Sequence, residues 1–314
     1  MSHRISFSAF FLLLSMLRAK ASPISASADN SKQKVAVTGA GGRTGSLVFQ
    51  KLVSSSKYTP VGVVRSEKSK DGLLKKSGAA PEQVIVGDIM ESPAVLDRAM
   101  AGADALVIAT SAVPKIKPLS LIPVILAKIT GKEGVRPQFT FKEDQMPEQI
   151  DWIGQKLQID AAKRAGVRKV VLVGSMGGTQ KDNFLNTIGD GQILVWKRRA
   201  EKYLVDSGLG YCIIHPGGLK DDEGGMREIV LNVDDIFLED KAGPRSIPRA
   251  DVAELCVQSL ELTENRSIDC VARNPGEGKP TVDFAALFSS MGRNCSYSDM
   301  KNDPVVGSFA SKGV

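Results

Sequence analysis

The sequence predicts an α/β fold in which a parallel sheet carries helices on both faces, a doubly wound arrangement. Short runs rich in β-branched residues alternate with amphipathic stretches along most of the 314 residues. Such strands, apolar on both faces and separated by helices, indicate a buried parallel sheet. The predicted strands are Val35–Thr38, Val61–Arg65, Val84–Gly87, Ala105–Ala109, Lys169–Gly174 and Tyr211–His215. The predicted helices lie near Gly45–Ser55, Ser92–Met100, Asp151–Ala165, Leu194–Ser207 and Asp251–Leu262.

A glycine-rich turn joins the first predicted strand to the first predicted helix. Its glycines fall at Gly39, Gly42 and Gly45, in the spacing GxxGxxG. Without Cβ atoms the backbone can approach a phosphate closely, and the N–H groups at the helix start bind negative charge. A GxGxxG motif fails because Thr44 stands in place of its third glycine, and no Lys-Ser or Lys-Thr pair completes a Walker A loop. The turn therefore predicts a site for a dinucleotide pyrophosphate.

Composition narrows the class of protein further. With 42% hydrophobic residues, the chain can build one large α/β domain or two small ones. The net charge of +6 comes from 41 basic and 35 acidic residues without a long basic run, so no nucleic-acid partner is predicted. The four cysteines are scattered, and the only histidines are His3 and His215. No metal site is predicted from this pattern.

The first 30 residues are interpreted as a targeting segment outside the fold. The apolar run Ile5–Leu17 is too short to span a bilayer comfortably, and Ala19-Lys20-Ala21 after it fits a signal-peptide cleavage site. The residues up to Asn30 are rich in Ser and Ala, as in a transit segment. Import into a plastid and plain secretion are both open, and the absence of a disulfide-like cysteine pattern favours the plastid. No membrane span is predicted in the mature chain.

The remaining chain is predicted to form one domain over residues 31–292 and a loose tail over residues 293–314, because the tail is rich in Gly, Ser, Asn and Asp. The longest interruption of the α/β pattern is Pro114–Pro147, which carries five prolines and the apolar patch Leu119–Ile129. We expect this insertion to lie near the carboxyl edge of the sheet, where ligands bind in such folds. The sequence leaves the number of subunits open, with a homodimer as one option.

Several phrases of the chain are shared with a known family. They are the glycine turn, Arg65, Asp88-Ile89, Thr110–Pro114, Gly174–Gly178 and Pro216–Leu219, together with the more specific Asp151–Lys156 and Ile193–Arg198. The chain resembles atypical short-chain dehydrogenase/reductase proteins, and more closely the NmrA-like NAD(P)-binding proteins of plants and algae. The resemblance covers about residues 33–290. It implies a Rossmann fold with a small C-terminal substrate lobe, an NADP(H) cofactor and an unidentified small-molecule substrate.

The end of the second strand distinguishes the two nicotinamide cofactors. An acidic side chain there accepts hydrogen bonds from the ribose hydroxyls of NAD, whereas an arginine pairs with the 2′-phosphate of NADP. Arg65 occupies this place and favours NADP(H). Arg43 in the turn could supply a second guanidinium to the same phosphate. The alternative for each is a solvated surface arginine.

Other predicted cofactor contacts lie at further strand ends. The resemblance places Asp88 and Ile89 beside the adenine, although Asp88 could instead cap the next turn. The end of the fourth strand is expected to face the ribose and phosphates, and Pro216-Gly217-Gly218 the nicotinamide end. The full predicted set is Thr38, Gly39, Gly42, Arg43, Thr44, Gly45, Arg65, Asp88, Ile89, Ala109, Thr110, Ser111, Lys197, Pro216, Gly217 and Gly218.

The catalytic pattern that the resemblance implies is incomplete. Ordinary members use a serine, and a tyrosine four residues before a lysine; the tyrosine exchanges the carbonyl proton, and the lysine lowers its pKa and binds the ribose. Ser175 and Lys197 match the serine and the lysine, and Glu201 follows Lys197 as in extended members of the superfamily. Ile193 stands at the tyrosine position. Ser175 and Lys197 are therefore the predicted catalytic residues, without the usual proton donor.

Several roles stay open at this point. Lys197 could anchor the ribose, replace the general acid, or be a solvated helix residue. His215 could touch substrate or pack in the core, and the same choice holds for Trp152 and Met176. An NADP(H)-dependent oxidoreductase acting on a carbonyl or quinone-like compound fits the sequence. A non-catalytic NADP(H)-binding protein that senses redox state or binds a partner fits as well, and an epimerase or lyase is a third option.

Overall fold

The computed structural model describes residues 32–132, 134–240 and 242–300. The predicted targeting segment of residues 1–30 lies outside them, as do residues 301–314 of the predicted tail. Among the described residues, no helix is both long and apolar enough to cross a membrane.

Eight strands form one mixed but mostly parallel sheet in the order β10-β12-β8-β7-β4-β1-β2-β3, and only β10 runs antiparallel to its neighbour. Two small two-stranded sheets pair β9 with β11 and β5 with β6. The strands are β1 Gln33–Thr38, β2 Tyr58–Val64, β3 Val84–Val86, β4 Ala105–Ile108, β5 Lys115–Ile116, β6 Phe139–Thr140, β7 Lys169–Val173, β8 Gly210–Pro216, β9 Gly218–Lys220, β10 Ile229–Asn232, β11 Ser246–Pro248 and β12 Arg266–Ala272. The predicted doubly wound sheet is confirmed.

The helices cover both faces of this sheet. They are α1 Arg43–Ser54, α2 Glu67–Ser77, α3 Pro93–Met100, α4 Leu121–Ile129, α5 Gln155–Arg164, α6 Phe184–Thr187, α7 Ile193–Asp206, α8 Arg249–Gln258 and α9 Phe284–Ser289. A wide π-helical turn, Glu148–Gly154, leads directly into α5. Helix α2 was not predicted, because its mostly polar residues show little periodicity. The Ser66 side chain caps its start, and Gly78 in the left-handed conformation ends it.

Alternate residues of β1 show how the two faces are filled. Val35 and Val37 pack into a cluster that includes Phe49 of α1, whereas Ala36 packs on the opposite side with Ile159 of α5. All five are fully buried. A strand of small and β-branched residues is favoured where both faces are covered.

The order of the strands reverses beside β1, which pairs with both β2 and β4. Because β3 lies outside β2 and the chain then crosses to β4, the loops at the carboxyl ends of β1 and β4 diverge and leave a crevice. The insertion at Pro114–Pro147 begins just after β4 and forms α4 and the β5–β6 pair. The C-terminal part adds β12 and β10 to the main sheet.

The prediction of a loose tail is wrong for residues 293–300. The Cys295 N–H donates to the Ser267 carbonyl at 2.9 Å, and the Tyr297 hydroxyl lies 2.8 Å from Ser267 Oγ. Cys295 and Tyr297 are both buried, and the Arg198 guanidinium lies over the Tyr297 ring at 4.3 Å from its centroid. The segment was predicted to be loose from its polar composition, but two of its side chains, those of Cys295 and Tyr297, complete the core.

Candidate cofactor-binding and active site

The glycine turn connects β1 to α1 at the point where the strand order reverses. Gly39 has a φ of +69°, and a Cβ atom there would lie 2.6 Å from the Ala109 carbonyl oxygen. A Cβ atom on Gly45 would clash with the Gly39 carbonyl oxygen. The Gly42 N–H donates to that same oxygen at 2.8 Å. The turn is therefore bare backbone packed on backbone, a cradle that a phosphate can approach and larger residues would disrupt.

The first turn of α1 leaves donors for an anion. Gly42 is the N-cap, no side chain caps the helix, and its first turn contains no acidic residue. The N–H groups at the start of a helix lack acceptors within the helix, and the helix dipole adds positive potential there. The backbone from Arg43 to Gly45, with Thr44 half-buried between them, fits a pyrophosphate at this end.

The two predicted phosphate-binding arginines differ in their surroundings. Arg65 directly follows β2, is exposed, and has no hydrogen bond or ion pair with a described residue. Arg43 forms an ion pair with Asp221, just after β9, and Asp221 also lies 2.6 Å from Arg249. Asp221 and Arg249 were not predicted, because an ion pair between residues so far apart in the chain leaves no local signal. Arg65 is free to meet a ligand, whereas Arg43 would have to share or exchange its partner.

Asp88 and Ile89 follow β3. Asp88 Oδ1 accepts a hydrogen bond from the Met90 N–H at 2.8 Å, so Asp88 does cap the next turn. Ile89 is half-buried and packs against two core clusters. Their predicted place beside the adenine stays a prediction, and the capping bond leaves one carboxylate oxygen of Asp88 for it.

A buried glutamine links the ends of β1 and β4. Thr38 Oγ1 donates to Gln158 Oε1 at 2.5 Å, and Gln158 Nε2 donates to Thr110 Oγ1 at 3.2 Å. Thr38 and Gln158 are fully buried. The Thr38 side chain therefore faces the protein interior and fixes the turn from behind. Its predicted contact with the cofactor stays a prediction. Ala109 and Thr110 are half-buried beside Gly39, and Ser111 is exposed.

Lys197 is held by a buried carboxylate. Its Nζ lies 2.7 Å from Asp151 Oδ1, and the two side chains are 8% and 0% exposed. Asp151 Oδ2 accepts from the Ala112 N–H at 3.0 Å, and Gln155 Nε2 donates to the Thr110 carbonyl at 3.0 Å. These contacts tie Lys197 to the loop after β4. The alternative that Lys197 is a solvated helix residue is wrong.

Asp151 lies in a phrase that carries the family resemblance, but no role for it was predicted. Asp151, Gln155 and Gln158 are spaced i, i+4 and i+7, which puts polar side chains on one face of an otherwise apolar, core-facing segment. A buried polar stripe is a signal that these groups have partners. It was readable from the sequence, but the partners were not.

Ser175 lies in the loop after β7. Its Oγ donates to the Met176 carbonyl at 3.0 Å, and the Met176 N–H donates to the Pro216 carbonyl at 3.2 Å. Pro216 is buried at the end of β8, followed by half-buried Gly217 and exposed Gly218. The loops that carry Ser175 and the predicted nicotinamide-binding residues are thus hydrogen-bonded to each other.

No tyrosine replaces the missing proton donor in the described structure, which contains all four tyrosines of the chain. Ile193 begins α7 one turn before Lys197. Tyr211 lies at the amino end of β8, away from the ligand edge. The other three donate to or pair with side chains in the body of the fold: Tyr58 with Glu261 at 2.5 Å, Tyr203 with Asp160 at 2.6 Å and Tyr297 with Ser267 at 2.8 Å. Trp152 packs edge-on to Tyr203 and belongs to the core.

Behind the Ser175 loop, His215 lies between two buried carboxylates. Its Nε2 is 3.1 Å from Glu201 Oε2, and its Nδ1 is 3.0 Å from Asp269 Oδ1. Burial alone would lower the pKa of His215, but the Glu201 charge and the hydrogen bond to Asp269 raise this pKa well above its ordinary value. Burial would raise the pKa of Glu201, yet the charge of His215 lowers it. His215 therefore packs in the core, where the two carboxylates favour its imidazolium form.

This ionic cluster also fixes the loop that carries Ser175. Asp269 Oδ2 accepts from the Asp235 N–H at 2.7 Å. Asp235 in turn accepts from the N–H groups of Gly177 at 2.5 Å and Thr179 at 2.9 Å. The chain of contacts from His215 to Gly177 positions Ser175 without touching a ligand. No local pattern in the sequence indicates this cluster beyond His215 itself.

A doubly wound sheet with a bare glycine turn where its strand order reverses defines a dinucleotide-binding protein of the Rossmann type. The chain belongs to the NAD(P)H-binding family, which its residues 39–263 match. The predicted nicotinamide-type cofactor is thereby confirmed.

Two plant proteins are similar over most of the chain. An uncharacterized chloroplastic protein of Arabidopsis thaliana is 48% identical over 271 residues, which is 85% of this chain and 78% of that protein. Sanguinarine reductase of Eschscholzia californica is 47% identical over 276 residues, 84% of this chain and 98% of that protein. These relatives confirm the predicted resemblance to plant NAD(P)-binding proteins.

Solved structures share the fold at lower identity. An oxidoreductase from Lactococcus lactis superposes with a TM-score of 0.54 at 18% identity, covering 82% of this chain and 96% of that one. A short-chain dehydrogenase/reductase from Veillonella parvula, solved in complex with NADP, gives 0.51 at 16% identity and covers 80% and 100%. Both confirm the Rossmann architecture.

Replacing Gly39 with alanine should disrupt the cradle, and Gly78→Ala is the matched control. Both glycines have positive φ, +69° and +67°. An alanine held in this left-handed conformation costs about 1–2 kcal/mol at either position. Only at Gly39 would the new Cβ meet backbone, since nothing lies within 4 Å of it at Gly78. We expect Gly39→Ala to lower the free energy of unfolding further and to weaken NADPH binding by more than about tenfold. Urea unfolding and NADPH titration measure both, and equal losses in the two variants would contradict the cradle.

Replacing His215 with glutamine should change how stability depends on pH. A histidine whose folded pKa is raised stabilises fully below its unfolded pKa, and this stabilisation is lost as pH rises through the folded pKa. We therefore expect His215→Gln to cost about 3–5 kcal/mol at about pH 6, because two buried carboxylates lose their partner. The deficit should shrink toward about pH 9. The free energy of unfolding at both pH values is the measurement, and a deficit independent of pH would be evidence against the imidazolium.

Proposed function

We propose that the protein is an NADP(H)-dependent oxidoreductase that reduces a small carbonyl or quinone-like compound. The observation that carries the proposal is Arg65, an exposed and unpaired arginine next to the glycine cradle of an NAD(P)H-binding protein. The 47% identity to a reductase, over 98% of that protein, supports the reaction class.

The residues present suit the cofactor in kind. At Gly39 and Gly45 the space of a Cβ atom is taken by backbone, so the turn offers bare backbone to a pyrophosphate. Arg65 would pair with the 2′-phosphate, because a guanidinium forms two parallel hydrogen bonds to phosphate oxygens. Arg43 would leave Asp221 and pair with the same phosphate. Asp221 would then keep Arg249 as its ion-pair partner.

The chemistry divides between cofactor and chain. Bound NADPH supplies a hydride to the substrate. Lys197, fixed in direction by Asp151, would hold the ribose hydroxyls next to the cradle. Ser175 would turn its hydroxyl from the Met176 carbonyl to donate to the substrate oxygen, since a hydroxyl rotates freely. The proton that a reduced carbonyl needs would come from Lys197, water or the substrate itself.

A non-catalytic NADP(H)-binding protein is the second candidate. Ile193 at the tyrosine position and the engagement of the tyrosines elsewhere favour it. The intact pair of Ser175 and Lys197, and the buried network that positions Lys197, favour the enzyme.

We also propose a plastid location, which the chloroplastic relative supports and which a fluorescent fusion carrying residues 1–30 would test.

Replacing Arg65 with alanine should discriminate the two cofactors. Loss of a charged pairing with the 2′-phosphate is expected to weaken NADPH binding by about tenfold to a hundredfold, which corresponds to about 1.4–2.8 kcal/mol. NADH lacks this phosphate, so its binding should change little. Fluorescence titration of both cofactors on the same preparations is the measurement. Equal weakening of both would remove Arg65 from the phosphate site.

The reductase activity itself is tested by following NADPH oxidation against a panel of quinones and aldehydes. We expect turnover on at least one acceptor. A Lys197→Met variant should show a raised KM for NADPH, because its ribose anchor is gone. Asp151→Asn keeps the shape of the partner but removes its charge, and should show a smaller change of the same kind. Tight NADPH binding without turnover on any acceptor would favour the non-catalytic protein.

A further inference from the structure

Helix α4 exposes apolar side chains along one side. The apolar side is formed by residues spaced i, i+3, i+4 and i+7, namely Ile122, Ile125, Leu126 and Ile129. Each of these residues is between 55% and 76% exposed. Buried Ala127 and half-buried Val124 lie on the opposite side of the helix. We call the four exposed residues the apolar stripe. A contiguous stripe of this kind marks a surface that binds something.

The stripe lies in a stretch of one charge sign. Between Asp104 and Glu133 the sequence contains no acidic residue and four lysines, namely Lys115, Lys117, Lys128 and Lys132. All four lysines are exposed, and none forms an ion pair with a described residue. Two precede α4, one lies in its last turn, and one follows it. The apolar stripe is therefore bordered by positive charge at both ends.

We propose that α4 and these lysines bind the surface of a membrane that contains anionic lipids. The apolar stripe would enter the boundary between headgroups and acyl chains, and the lysines would meet lipid phosphates. Exposed apolar residues on one side of a helix, with lysines beside them, are what such surfaces bind. This proposal does not depend on the proposed reductase activity.

The length of α4 decides between lying on the membrane and crossing it. Nine residues at about 1.5 Å each cover roughly 14 Å, about half of the hydrocarbon core of a bilayer. Pro118 at its approach and Gly131 after it end the helix on both sides. A helix of this length can only lie in the plane of the interface.

A second copy of the chain is the competing occupant. In a two-fold symmetric dimer each stripe would meet its own copy, and the lysines of the two copies would come together. The stretch between Asp104 and Glu133 contains no acidic residue to pair with them, so like charges would oppose that contact. Anionic lipid satisfies the same lysines, so the charge pattern favours the membrane.

The test is sedimentation with vesicles, using a chain that begins at Lys32 so that the apolar run Ile5–Leu17 does not contribute. Cooperative thermal unfolding and NADPH titration check that this chain is folded. We expect binding to phosphatidylcholine vesicles with about 30% phosphatidylglycerol to exceed binding to pure phosphatidylcholine by at least about tenfold, and to weaken as salt is raised.

Substitutions separate the stripe from the lysines. Ile125→Glu with Ile129→Glu should abolish vesicle binding, while Lys128→Gln with Lys132→Gln should remove the preference for anionic lipid. Val282→Glu is the matched control, because Val282 is an apolar residue 87% exposed outside the patch. NADPH binding should be unchanged in all of these variants, so failure here is distinct from failure of the proposed function.

Three results would overturn the proposal. One is the absence of binding to anionic vesicles, and another is unchanged binding by the Ile125→Glu, Ile129→Glu variant. The third is a dimer in sedimentation velocity that this variant converts to a monomer, which would assign the stripe to a second copy of the chain.

Discussion

The candidate site depends on one close contact between two stretches of backbone, Gly39 against the peptide that joins Ala109 to Thr110. The left-handed φ of Gly39 and the lack of space for any Cβ make glycine obligatory there. This contact brings the ends of β1 and β4 together, so the crevice between their loops has a fixed floor. The groups proposed to bind the cofactor, from the N-terminus of α1 to Arg65, are positioned relative to this contact.

Buried polar groups hold the rest of the site. They contribute more to the positions of its loops than to the stability of the fold. Burying Lys197 with Asp151, or His215 with Glu201 and Asp269, costs desolvation energy that the ionic attraction only roughly offsets. Apolar side chains of similar size would stabilise the fold as well. The hydrogen bonds that Asp151 accepts from the Ala112 N–H, and Asp235 from the Gly177 N–H, instead set where two loops lie. Each of these bonds fails if its loop moves by an ångström.

The sequence predicted the features whose signals are local. The strands and the glycine turn were predicted from residues adjacent in the chain. The absence of the tyrosine, with Ile193 at its position, was predicted in the same way. Contacts across long separations were invisible: Asp221 with Arg43, Gln158 with Thr38, and Tyr297 with Ser267 join residues that no spacing rule connects. Helix α2 was missed for another reason, since its stability comes from caps and from packing of Leu73 rather than from an apolar stripe.

The environment of Lys197 bears on which substrates suit a site without the tyrosine. In the usual arrangement, the lysine charge acts on a neighbouring tyrosine and through it on the oxygen that gains negative charge. Here a carboxylate 2.7 Å away offsets that charge, so less of it reaches a substrate oxygen. A simple ketone would then form an alkoxide with little stabilisation. A quinone-like acceptor spreads the charge over a conjugated ring and needs less help from the protein, so the pairing of Lys197 with Asp151 favours it.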